Sequence, residues 1–121
     1  MNWFSSKENK TIPWVHLTSE EGFKEALTLS ETQPIIIFKH SPRCSISTMV
    51  LSSFERGWDE NNETKLFFLD LIQFRAVSNR IEEELKVKHE SPQLIIVDNH
   101  EARYHSSHNG IDAQTVLKDL N

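Results

Sequence analysis

The residue of this chain with the clearest chemical potential is Cys44, the single cysteine among 121 residues. A thiol is nucleophilic as its thiolate, and free cysteine with a pKa of about 8.5 is mostly protonated at neutral pH. Cys44 ends the polar stretch Lys39-His40-Ser41-Pro42-Arg43, which follows the apolar run Ile35-Phe38. Buried structural cysteines sit within apolar patterns, so this setting points to an accessible sulfur. Lys39, His40 and Arg43 bring positive charge close in sequence, which favours the anion. Ser47 completes a Cys-x-x-Ser tetrad. Its hydroxyl cannot resolve a mixed disulfide, but one helical turn from the sulfur it can hydrogen-bond a thiolate. Both Cys44 and Ser47 are candidate catalytic residues, and a lone thiol can form only an intermolecular disulfide.

Competing cysteine chemistries fail on specific positions. A phosphatase-like or arsenate-reductase loop needs arginine six residues beyond the cysteine, where Val50 stands. A peroxiredoxin pattern needs proline where the chain has Ile37, and a dithiol enzyme needs a second sulfur. A cysteine hydrolase needs a base held by an orienting group, and no recognisable version is present. Six histidines are spread along the chain, and His105 and His108 have H-x-x-H spacing. On a strand those two point to opposite faces, and no second cysteine or tight carboxylate cluster accompanies them, so no metal site is expected.

The elements that must position Cys44 follow from periodicity. Trp14-Leu17 reads as a short strand after Pro13, and Thr18 opens a helix with Glu21 completing a capping box. Phe23, Ala26 and Leu27 form its apolar stripe. Ile35-Phe38, Leu66-Leu69 and Leu94-Val97 are continuous apolar runs, the pattern of strands buried on both faces. Residues 39–43 read as a turn, after which Ile46, Val50, Phe54 and Trp58 recur at helical spacing and put Cys44 at a helix N-terminus. That position offers unsatisfied N–H groups and positive partial charge to an anion. Val77, Ile81 and Leu85 mark another helix. Asp98-Asn99 reads as a hairpin turn into a strand at Glu101-Ser106, and Asp112 caps a last helix, with Ile111 and Val116 as a hydrophobic staple.

The resulting order is βαβαβαββα, an α/β domain with a mixed sheet between two helical layers. It is similar to the thioredoxin-like arrangement. In that topology the proline before the third core strand, Pro92, is expected to be cis and to turn the Ser91 backbone toward the cysteine. The loop His108-Asn109-Gly110 should lie at the same sheet edge, where His108 and Gly110 can meet a substrate.

Length and composition bound these readings. A mass of 14.1 kDa fits one domain, expected at 13–121 behind a flexible arm at 1–12. One cysteine excludes an intramolecular disulfide framework. The net charge of −5 and the lack of a basic block argue against nucleic acid. No apolar run is long enough for a membrane span, and the first residues lack the apolar core of a signal peptide, so a cytoplasmic protein is expected.

The segments Phe38-Ser47, Val87-Gln93 and His105-His108 together resemble the YtxJ-type monothiol bacilliredoxins, thioredoxin-like proteins of the bacillithiol redox system, with similarity from about Trp14 to Leu120. The resemblance implies removal of bacillithiol from S-bacillithiolated cytoplasmic proteins. Cys44 would carry a mixed-disulfide intermediate, with bacillithiol as co-substrate and no bound cofactor. Family members often carry proline after the cysteine; Ser45 here changes helix entry without removing the nucleophile. Monothiol glutaredoxins are similar around Pro42-Arg43-Cys44 but have glycine and phenylalanine at the positions of Ser45 and Ile46. Lys39, Arg43 and His108 are expected to attract the carboxylates of bacillithiol, with His40, Ser91, Pro92 and Gly110 completing the substrate-binding set. The alternative is a thioredoxin-fold adaptor module whose cysteine is incidental. The sequence leaves open whether the thiol joins two chains.

Overall fold

In the computed structural model, which describes residues 11–121, nine regular elements run β1 (Trp14–His16), α1 (Glu20–Leu29), β2 (Ile35–His40), α2 (Ser45–Gly57), β3 (Leu66–Asp70), α3 (Arg75–Leu85), β4 (Gln93–Asp98), β5 (Glu101–Ser107) and α4 (Ala113–Leu120). A short 3₁₀ turn, His108–Gly110, joins β5 to α4. The expected arm falls almost wholly outside the described residues, although Ile12 packs partly buried against the core.

The strands form one sheet in the order β1-β3-β2-β4-β5. β1, β3 and β2 are parallel because helices intervene, whereas β4 runs antiparallel to β2 and pairs with β5 through a two-residue turn. The apolar runs alternate between two cores. Ile35 and Ile37 of β2, with Ile95 and Val97 of β4, pack under Phe23 and Leu27 of α1 and Val77, Ile81 and Leu85 of α3. Ile36, Phe38, Leu94 and Ile96 face Val50 and Phe54 of α2 and Val116 of α4. Two-sided burial explains why these strands read as continuous rather than alternating hydrophobic segments. An aromatic cluster of Trp14, Phe38, Phe54 and Trp58 anchors α2, and Glu55 of that helix accepts a 2.7 Å bond from Trp14 Nε1.

Several boundaries differ from the sequence expectation. Helix α1 is capped by Ser19, whose hydroxyl accepts from Gly22 N–H at 3.0 Å; Thr18 lies one residue outside, and Glu21 is in the first turn rather than at the capping-box position. The hairpin turn is Asn99-His100, both with left-handed φ (51° and 68°), as a two-residue turn between twisted strands requires. The backbone N–H groups of Asn99 and His100 are held by Ser30, and His100 Nε2 meets Glu31 Oε2 at 2.6 Å. The largest change is in β2, which continues through Lys39 and His40 instead of ending at Phe38, so both residues belong to the sheet. The cap of α4 is as the sequence indicates: Asp112 accepts from Thr115 N–H, with Ile111 and Val116 buried beside it.

Candidate active site at the Cys44 edge

Strand pairing assembles the site. β2 and β4 are antiparallel with Lys39 opposite Gln93, so the loop leaving β2 and the segment entering β4 emerge from the same edge of the sheet. The first carries Ser41 to Cys44 and the second Ser91-Pro92, whose peptide bond is cis. The 3₁₀ turn closes the third side: His108 N–H donates to Pro92 O at 2.9 Å, and this turn packs against α2. His108 is exposed with φ 53°, a left-handed conformation uncommon outside glycine. Gly110 is exposed too, with an ordinary negative φ and open space around it, so nothing local demands glycine there.

Cys44 is the N-cap of α2 and half-buried, with extended backbone (φ −107°, ψ 119°). Its N–H donates to Ser41 O and its carbonyl accepts from Thr48 N–H, which fixes the loop while its sulfur makes no capping bond among the described residues. A sulfur at this position lies where first-turn N–H groups and the helix dipole stabilise negative charge. Pro42 and Arg43 beside it are exposed. Ile46 and Met49 also face solvent, at 51% and 70% exposure, so Ile46 does not join the inner face formed by Val50, Phe54 and Trp58.

Ser47 is wholly buried and its hydroxyl is engaged away from the sulfur. Its Oγ accepts from Ser41 N–H at 3.1 Å and lies 2.8 Å from His40 Nδ1. The expected serine–thiolate bond is therefore replaced by a pin that ties the Cys44 loop and the end of β2 to the first turn of α2. His40 is buried against Phe68, and burial holds its pKa below the usual histidine value despite the opposing pull of Asp70 and Glu55. It is consequently neutral at pH 7 and supplies no cationic charge near the thiol, contrary to the sequence expectation.

Lys39 requires a second correction. As β2 neighbours, Lys39 and His40 point to opposite faces of the sheet. Lys39 is fully buried on the α1–α3 side, where the Glu82 carboxylate acts on its ammonium. The expected positive pocket of Lys39, Arg43 and His108 is therefore not assembled; Arg43 is the cation left in the exposed Cys44 loop. The sequence reading also missed a polar cluster around Lys39. His89 N–H donates to Glu82 Oε2 at 2.9 Å, Gln93 Nε2 donates to Lys88 O at 2.9 Å, and Ser78 Oγ lies 3.4 Å from His89 Nδ1. The available signal was alternation, because Lys39 and Gln93 extend two otherwise apolar strands. No group of three metal-ligating side chains occurs among the described residues. A cavity of about 480 Å³ lies at the far end of the sheet, lined by Glu84, Lys86, His100 and Glu101, well away from this edge.

Comparison with known proteins agrees with this fold. The family model for monothiol bacilliredoxin BrxC matches residues 15–116. A solved thioredoxin-fold protein, provisionally described as an oxidoreductase, is 26% identical and superimposes with a TM-score of 0.77, covering 89% of this chain and 94% of its own. Fasciola hepatica thioredoxin (10% identity, TM-score 0.68, 87% and 94% coverage) and Arabidopsis thaliana thioredoxin O2 (19%, 0.68, 88% and 93%) share the fold.

Proposed function

The chain belongs to the monothiol bacilliredoxin family, and on that premise we propose that it removes bacillithiol, or a similar low-molecular-weight thiol, from mixed disulfides of proteins. A thiol-redox role is common to the family and the fold; the thiol and the protein clients are our reading. The observation that carries it is Cys44 at the N-cap of α2, half-buried at the sheet edge where the Ser91–Pro92 segment enters β4, with no other cysteine in the chain.

In the proposed cycle the Cys44 thiolate attacks the bacillithiol sulfur of a protein–bacillithiol disulfide. The new bond is Cys44–S–S–bacillithiol, and the client leaves as a thiolate that takes a proton from water. A second bacillithiol thiolate then attacks the bacillithiol sulfur of that adduct; the bond to Cys44 breaks, Cys44 is released as a thiolate, and the two bacillithiol molecules depart joined as oxidised bacillithiol. Each step exchanges one S–S bond for another, so no other oxidant is needed. Ser47 acts in this reading by holding the Cys44 loop, not as an acid or base. The Ser91–Pro92 edge and His108 border the place where the disulfide lies, and Arg43 attracts its carboxylates.

Intact-mass measurement after brief exposure to oxidised bacillithiol tests the proposal. One adduct forming in seconds to minutes, and none in Cys44→Ala, is the expected result. Failure of the wild-type thiol to react, with Cys44 alkylated only after denaturation, would leave the adaptor reading.

A further inference from the structure

A buried ammonium with no partner weakens a fold, so a chain that retains one invites a functional explanation. Lys39 Nζ finds no hydrogen-bond partner among the described residues, and neither does Gln93 Oε1. These residues face each other across the β2–β4 register, and both are essentially fully buried. The segment over them, Val87 to Pro92, leads directly into the Cys44 edge. It is tied down through His89 N–H to Glu82, Lys88 O to Gln93, and the long Ser78–His89 contact. Arg75 and Glu82 of α3, with His89 and Glu90 of the segment itself, are the charged or titratable groups bearing on this cluster.

We infer that Lys39 is a positioning residue for thiol exchange: its buried ammonium biases the Val87–Pro92 segment toward opening, and opening admits a protein-sized mixed disulfide to the Ser91–Pro92 edge. This inference rests on the proposed function above. Opening hydrates the ammonium and removes its desolvation, whereas closure favours the neutral amine. Burial is the main reason that the Lys39 pKa falls to about 8 from its ordinary 10.5, with Glu82 opposing the shift. Protonation therefore favours the open state and deprotonation the closed one. In the closed state Lys39 loses its proton above about pH 8, whereas the hydrated, open state keeps it up to its ordinary 10.5. Closing the segment lowers the fraction of competent protein and raises the apparent half-saturation concentration by the same factor.

The test is single-turnover kinetics of the full chain with a short peptide disulfide-linked to bacillithiol, at pH 7 to 9.5, for wild type and Lys39→Met. In wild type the half-saturation concentration should rise several-fold above pH 8, read separately from the maximal rate. Lys39→Met should show a raised, pH-independent half-saturation, an iodoacetamide rate within about twofold of wild type, and a Tm higher by a few degrees. Lys39→Arg should keep the low half-saturation across the range, because its charge is not lost. Equal half-saturation in Lys39→Met and wild type, or a lower Tm with parallel loss of alkylation, overturns the inference. If Lys39→Met does not fold, amide exchange in wild type decides. Corrected protection of residues 87–91 should increase from pH 7 to 9.5 relative to β2 and β3, and constant protection refutes the mechanism. Absence of any Cys44–bacillithiol adduct would instead refute the proposed function, leaving the exchange measurement to judge the segment's pH response.

Discussion

Lys39 and His40 are adjacent on one strand, equally polar in sequence and both buried, yet their surroundings are opposite. His40, on the α2 side, lies 2.8 Å from the Ser47 hydroxyl and against the ring of Phe68. Lys39, on the α3 side, has Glu82 as an electrostatic neighbour but no hydrogen-bond partner among the described residues. A satisfied polar contact ties down the loop that presents Cys44, whereas the buried Lys39 ammonium, on our inference, loosens the segment that leads to Pro92. The same edge is thus built from a rigid half and a half poised to loosen. A nucleophile gains from fixed geometry, and a site receiving varied protein disulfides gains from adjustable access.

The sharpest test of the rigid half is Ser47→Ala. It removes the partner of Ser41 N–H and His40 Nδ1, and should destabilise the protein by about 1–3 kcal/mol in urea unfolding. A loss confined to a few tenths would mean that Ser47 is not a pin. Next in size, Arg43→Glu should slow reaction of Cys44 with oxidised bacillithiol roughly three- to tenfold, and much less with a neutral disulfide, because the charge acts on encounter. Equal slowing of both would remove the electrostatic role.

Stability against pH separates the two neighbours directly. His40 is neutral in the fold with a pKa below the unfolded value of about 6.5. Acidification below that value protonates the unfolded chain first, so native stability declines as pH falls toward the folded pKa. Replacing His40 by Asn should make this decline shallower, with His89, also lowered by burial, supplying the remainder. For Lys39 the unfolded chain holds the extra proton between about 8 and 10.5, so its contribution to stability increases with pH across that window. Lys39→Met should remove that rise in chemical denaturation series. An unchanged slope in either variant would break the contrast. The smallest effect is expected outside both halves: Ile46→Ser on the exposed face of α2 should change stability by no more than about 0.5 kcal/mol.

Much of the scaffold was legible because its signals are local. Three apolar runs marked the central strands, the Val50-Phe54-Trp58 spacing marked α2, and Asp112 marked the start of α4. The misplacements share a cause. Thr18 and Ser19 are both competent N-caps, and backbone geometry chose the second. Lys39 and His40 read as turn residues because local polarity normally marks solvent, but pairing with β3 and β4 drew them into the sheet. Ser47 sits where a thiolate partner would be, and His40, seven residues earlier, claimed its hydroxyl instead. Such competition between partners distant in sequence leaves no periodic trace.

By itself the sequence determined that covalent chemistry at sulfur must be intermolecular, because one cysteine cannot close a disulfide within the chain. It also put that cysteine at a strand-to-helix junction, because apolar spacing sets where each element begins. Only the tertiary structure decided which neighbours share the sulfur's side of the sheet. The side-chain period of two sends Lys39 and His40 to different cores, and the packing of α2 and α3 then gives His40 a hydrogen-bonding contact and leaves the Lys39 ammonium without one among the described residues.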